Sequence, residues 1–153
     1  MSVALRHSSR QSAASGPNPM RTILNIIWLV LCGWWMALLY VIAGVVMCVL
    51  IITIPFGVQA FKLAGFMLWP FGRTVVRRAD AGAGSFIGNV LWIVLVGWEL
   101  AIGHIVSAFL LAITIIGIPL ALGNLKLVPI SLAPFGRTVV PAAQAAAAGG
   151  TFF

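Results

Sequence analysis

Glu99 and His104 come nearest to chemistry in this sequence. A carboxylate and an imidazole at membrane depth could hold an ion or pass a proton. Five positions apart, however, they do not share a helical face, because helical neighbours lie three or four apart. The spacing favours a pair of wet residues at a hairpin tip over a relay. Asn25 and Asn89 could face a polar pathway, but an interhelical hydrogen bond or a helix cap is the simpler use of such residues. The chain has two acids, Asp80 and Glu99, and paired-carboxylate chemistry would need both. They fall on a connector and at a far-side tip, so catalysis is not expected. No phosphate-binding, zinc-protease or serine-hydrolase motif occurs. Cys32 and Cys48 lie inside an apolar run with neither redox nor metal-site spacing, and read as small buried hydrophobes. No cofactor and no metal are expected.

These residues are embedded in an unusual chain. Of its 153 residues 62% are hydrophobic and 7% charged, with a mean hydropathy of +1.15. A soluble domain is about 25% charged. This chain lacks the polar side chains to cover a water-facing surface, so lipid must solvate much of it. The net charge of +7 arises from basic residues at the edges of apolar runs, as topology signals require. No basic, aromatic-interleaved patch suggests nucleic acid.

Residues 1–20 are rich in Ser, Ala and Pro, lack the apolar segment of a signal peptide, and are expected to be disordered. No charge occurs between Arg21 and Lys62. A second apolar run extends from Ala81 to Leu125 and is interrupted by Glu99. The tail, residues 141–153, is Ala- and Gly-rich and is expected to be flexible.

The two runs align without a gap at an offset of 64 residues, residues 23–76 over 87–140, with 22 identities in 54 positions. Matched pairs include Asn25/Asn89, Trp28/Trp92, Gly33/Gly97, Trp34/Trp98, Pro55/Pro119 and Lys62/Lys126, followed by PFGRTVV at 70–76 and again at 134–140. Such duplication is common in membrane folds. Glu99 and His104 fall opposite Trp35 and Tyr40.

Arg21 precedes the first unit, Arg73, Arg77 and Arg78 follow it, and Arg137 follows the second. If all face the cytoplasm, each unit begins and ends on one side. An even number of crossings and a parallel relation between the copies follow. Arg21, Lys62, Arg73, Arg77, Arg78, Lys126 and Arg137 are therefore expected as cytoplasmic interface anchors, and Arg73 and Arg137 could also bind anionic headgroups. Trp34, Trp35 and Tyr40, with Trp98, Glu99 and His104, place an expected turn at the middle of each unit. The arm before it, Thr22–Trp34, is short for a span, so the hairpin could be re-entrant. Ile-Pro at 54–55 and 118–119 then starts a short interfacial helix. Lys62 can snorkel from it to the headgroups, and Pro70-Phe71-Gly72 ends it as a turn.

Arg-Thr-Ile-Leu-Asn-Ile-Ile-Trp at 21–28, Gly-Trp-Trp at 33–35, Ile-Pro at 54–55, Lys62 and Pro-Phe-Gly-Arg at 70–73 resemble the YccF family of bacterial inner-membrane proteins. The second copy, with Asn89, Trp92, Gly97-Trp98, His104, Ile-Ile-Gly-Ile-Pro at 115–119 and Lys126, resembles it more closely. The resemblance spans about residues 20–140. It implies an inner-membrane location and a tandem domain, and it brings no activity. Glu99 departs from the pattern, which has Trp there. Met20-Arg21-Thr22 matches the usual start of that family, so residues 1–19 are expected to be an upstream extension.

The expected architecture is an all-α integral membrane protein. Residues 1–20 form an extension, 21–78 the first repeat, 79–86 a connector, 87–140 the second repeat and 141–153 a tail. Both termini are cytoplasmic. The expected role is a structural or accessory membrane component acting by helix packing, with the lipid bilayer and a homo-oligomer or membrane-protein partner around it. The alternative is a small transporter or channel, with a pathway between repeats or protomers lined by Asn25, Asn89, Glu99 or His104.

Overall fold

The computed structural model describes residues 18–147. The start-site expectation for residues 1–19 falls almost wholly outside them, as does the end of the tail. Each repeat is a long helix followed by a short returning one. Helix α1 spans Pro19–Val49 and α2 Ile54–Leu68. Strand β1 (Arg73–Arg77) follows. The second repeat gives α3 (Ala83–Ala112), α4 (Ile118–Leu132) and β2 (Arg137–Pro141). A short helix α5 covers Ala142–Ala147.

The Val- and Ile-rich runs would be mediocre helices in water. In hydrocarbon each backbone N–H and C=O must be satisfied within the chain, and a helix does this. At 31 residues, α1 is about 46 Å long at 1.5 Å per residue. It continues unbroken through Trp34–Tyr40, and α3 continues through Trp98–His104, so the mid-unit turns expected there do not form. No residue in those stretches lacks an amide proton or breaks the hydrogen-bond ladder. Each long helix does carry one π-helical turn just before that stretch, Leu29–Gly33 and Ile93–Gly97.

The reversal comes instead at residues 50–53 and 113–117. The Thr53 hydroxyl donates to the Met47 carbonyl at 2.6 Å, and the Thr114 hydroxyl to Leu111 at 3.0 Å. Pro55 and Pro119 occupy the first turns of α2 and α4, where a missing N–H costs nothing. Ile51 sits at φ +48°, a left-handed conformation that costs a β-branched residue about 1–2 kcal/mol. The helices after the two prolines are therefore the return arms of the hairpins, correcting their expected role as separate interfacial helices.

Within a hairpin the arms meet through small residues. A Cβ on Gly57 would lie 2.8 Å from the Gly44 carbonyl oxygen, so the two backbones nearly touch, as in membrane helix pairs. Between repeats the core is built from Trp28, Met36, Tyr40, Leu63, Met67, Trp92 and Leu120. Val30, Leu31, Val46, Phe86, Val94 and Phe109 face outward, and Ile52 and Ile115 at the hairpin tips are 90% and 86% exposed. Apolar surface inside and out is what a lipid-solvated bundle presents.

The repeated Arg-Thr-Val-Val segments pair with each other. β1 and β2 form an antiparallel ribbon in which Val75 faces Val139, Thr74 faces Val140 and Val76 faces Thr138. Val75 and Val139 are equivalent positions of the repeat, 64 residues apart. The outer bonds obey the same symmetry: Arg78 N–H donates to Gly136 O at 2.8 Å and Ala142 N–H to Gly72 O at 2.9 Å. A local two-fold axis thus passes through the ribbon, and the copies are parallel. The chain expected to fray after Pro141 forms α5 instead, with Ala145 buried. At the other end, Asn18 caps α1 by accepting from Met20 N–H at 3.1 Å, so helix begins inside the stretch expected to be disordered.

Candidate functional site: the polar residues of the repeats

Asn25 and Asn89 do the same task in their two repeats. The Asn25 amide donates to Phe71 O at 2.9 Å and accepts from Phe71 N–H at 2.9 Å. Asn89 clamps Phe135 in the same way, at 3.1 and 2.8 Å. Each side chain thereby satisfies a turn that follows its own return helix. Gly72 and Gly136 in those turns have φ +93° and +76°, a region that glycine enters without steric cost. One helical turn after each Asn, Trp28 Nε1–H donates to Met67 O and Trp92 Nε1–H to Ser131 O, both at 2.7 Å. The indoles fit because Gly33 and Gly97 leave room: a Cβ at either would lie 2.7 Å from the indole. The matched Asn, Trp, Gly and PFG residues are therefore one device, locking the long helix to the C-terminal end of the return helix.

His104 is fully buried, as is Tyr40, which corrects the expectation of wet residues at a tip. They occupy equivalent repeat positions and meet where α1 passes α3, with ring centroids 6.0 Å apart. His104 Nδ1 lies 2.9 Å from Asn124 Oδ1 and Nε2 lies 3.3 Å from the Tyr40 hydroxyl. The amide oxygen accepts, so the bonding pattern assigns the proton to Nδ1 and leaves Nε2 to accept from Tyr40. The Asn124 amide in turn donates toward Cys32 Sγ at 3.4 Å. Ser107 nearby bonds back to Gly103 O at 2.7 Å. Tyr40, His104, Asn124 and Cys32 form a chain of hydrogen bonds between the repeats. Among the described residues, every buried side-chain nitrogen and oxygen has a partner.

The sequence reading missed Asn124, which has Ala60 as its counterpart. A polar residue replacing a small one at a buried repeat position was the available signal. Glu99 does not join His104. It is exposed on α3, beside a cavity of about 370 Å³ between α1 and α3 that Leu39, Val46 and Leu95 also line.

The basic residues gather at the ribbon end. Arg21 lies against Gly72, and Arg77 faces Arg137 across the ribbon. Burial first, and then the like charge of Arg77, lower the pKa of the Arg137 guanidinium. Its Nη1 donates to Pro129 O at 3.0 Å. Arg78 pairs with Asp80, its Nε donating at 2.8 Å, and this holds the exposed Asp80 carboxyl below the usual carboxylate range. Lys62 and Lys126 are exposed midway along α2 and α4. No group of three or more His, Cys, Asp or Glu residues could hold a metal among the described residues.

Two apolar helices long enough to cross a bilayer, a duplicated hairpin and an outward-facing apolar surface define an integral membrane protein. Residues 23–73 and 87–137 each match the inner membrane component domain, YccF. The inner membrane protein YccF of Escherichia coli K12 is 33% identical over 138 residues, covering 84% of this chain and 93% of that one. The protein of the same name from Shigella flexneri gives the same values. No solved structure matches the chain. The chain belongs to the YccF family, in two tandem copies, and its place is the bacterial inner membrane.

Proposed function

We propose that this protein is a structural or accessory component of the inner membrane that acts by helix packing and not by catalysis. One observation carries the reading: the polar side chains at the core are spent on the fold itself. Asn25 and Asn89 hold turns, the Trp indoles hold helix ends, and His104 is enclosed between Tyr40 and Asn124. What remains outward on α1 and α3 is a long apolar surface, suited to lipid and to a second copy or another membrane protein. Crosslinking in native membranes should trap a discrete complex through α1 or α3. Recovery of monomers alone would remove this reading.

In this proposal the chain is multi-pass with both termini cytoplasmic. Support comes from the basic residues at the ribbon end, which the positive-inside bias places in the cytoplasm. Reporters fused after Arg78 and at the C-terminus should both read cytoplasmic, and opposite readings would refute it.

A second reading, a small transporter or channel, has Glu99 in its favour. An exposed carboxylate at the middle of an apolar helix beside a cavity is costly unless water reaches it. Cysteine placed at Asn25, Asn89, Glu99 and His104 would react with a membrane-impermeant thiol reagent if these positions line a pathway. Protection at all four would exclude it.

A further inference from the structure

We propose that a cavity of about 460 Å³ between α4 and the Trp28–Phe71 pair binds an anionic phospholipid, one acyl chain on the aromatic floor and the phosphate at Lys126 and Arg73. The argument begins with broken symmetry. In the two-fold-related place, α2 packs against the Trp92–Phe135 pair. There Phe56 stacks on Trp92 at 6.5 Å and meets Phe135 edge-on at 5.1 Å. Gln59 completes the seal, its Nε2 donating to Pro134 O at 3.4 Å. The matching residues of α4 are Leu120 and Gly123. A Cβ on Gly123 would reach ordinary contact with the rings of Trp28 and Phe71, at 3.4 and 3.5 Å, so a longer side chain would occupy the space that is open. The cavity is thus the counterpart of the seal over Trp92 and Phe135, with the Gln plug reduced to Gly123 and the Phe56 ring replaced by the buried, smaller Leu120.

Its chemistry is divided. Trp28, Phe71, Leu122 and Ile130 supply an apolar floor, while Arg73, Lys126 and Arg137 supply the charge. No carboxylate lines it among the described residues. Arg137 is anchored through Pro129 O and contributes its field from a fixed position. The volume falls within the range of about 300–1,000 Å³ usual for small-molecule sites. An apolar slot ending in fixed positive charge, in a protein solvated by lipid, selects an amphiphile with an anionic head. Phosphatidylglycerol meets both requirements. Phosphatidylethanolamine brings its own ammonium to the same three cations and gains less from them.

The test uses the delipidated full chain in detergent, titrated with phosphatidylglycerol or phosphatidylethanolamine of identical acyl chains and read by native mass spectrometry. Wild type should retain about fivefold more phosphatidylglycerol, and Lys126→Gln should lower that retention about fivefold, the usual weight of one basic residue at an anionic headgroup. Lys62→Gln removes the equivalent charge, which lines a neighbouring hollow that shares Arg73 but does not line the cavity itself, and should leave it unchanged. Gly123→Gln copies the first repeat's plug with every charge intact and should abolish the preference. If Gly123→Gln does not fold, the contrast between the two exposed lysines decides alone. Equal retention of the two lipids by wild type, or equal loss in the two lysine variants, would overturn the proposal. So would wild-type binding by a folded Gly123→Gln variant, or displacement of the lipid by inorganic phosphate alone, which would mark a bare anion site.

Discussion

The two repeats carry the same frame and differ in what the frame encloses. Asn25, Trp28, Gly33 and PFG at 70–72 recur in the second copy with nearly the same hydrogen-bond distances. The frame tolerates no drift because each of its residues satisfies a particular backbone group or vacates space for one that does. The copies diverge where they face each other. Cys32, Tyr40 and Ala60 become Val96, His104 and Asn124 in the second. A two-fold axis brings equivalent positions together, so two identical side chains would have to bond to themselves there. Duplication within one chain removes that restriction, and a hydroxyl can then face an imidazole.

The largest test of the shared frame is removal of its indoles. Trp28→Ala and Trp92→Ala should each cost about 3 kcal/mol, from an unfilled cavity and an orphaned helix carbonyl, measured by detergent-induced unfolding. If one costs far less than the other, the frames are not equivalent. Asn25→Ala and Asn89→Ala come next, each expected to cost about 2 kcal/mol because a half-buried turn loses both of its partners. Equal losses would confirm that the clamps do one task.

At the axis, Asn124→Ala restores the residue type of the first repeat and strands the Nδ1 proton of His104. A cost of about 1–2 kcal/mol is expected. In the double variant with His104→Phe the loss should fall below the sum of the two singles. The smallest effect concerns the connector. Because Arg78 lowers the Asp80 pKa, any stability this pair gives exists above the ordinary carboxylate range and is lost as pH falls through the lowered value. The pair is fully exposed and screened, so Asp80→Asn should leave the unfolding profile between pH 7 and pH 3 unchanged.

Much of the frame was legible because it is written twice. Asn25, Trp28 and Gly33 stood out as uncommon residues in an apolar run, and their recurrence at one offset tied them to a shared structure. The position of the hairpin turn was not legible from aromatics. Trp34 and Tyr40 suggested an interface, but a helix ends where its hydrogen-bond ladder must end, and here that is before Pro55 with Thr53 as the internal acceptor's partner. The ribbon was hidden because its partners lie 64 residues apart and neither strand has a mate within its own repeat. His104 was misplaced for the same reason. Its partner Tyr40 was visible as its repeat counterpart, but nothing in one dimension says that counterparts touch.

The ribbon also raises a question of partner choice. Both strands begin Arg-Thr-Val-Val and differ only in their fifth residue, Arg77 against Pro141, so the backbone of each could pair with a copy of itself. The ladder alone cannot tell the first repeat from the second. Discrimination falls to the chain itself, since residues 78–136 carry β1 through the folded second repeat to β2, and to the Tyr40–His104 contact, which an identical pair would not reproduce. The intervening hairpin is therefore also a specificity element: it makes the unlike pairing intramolecular and leaves like pairing to diffusion in the membrane.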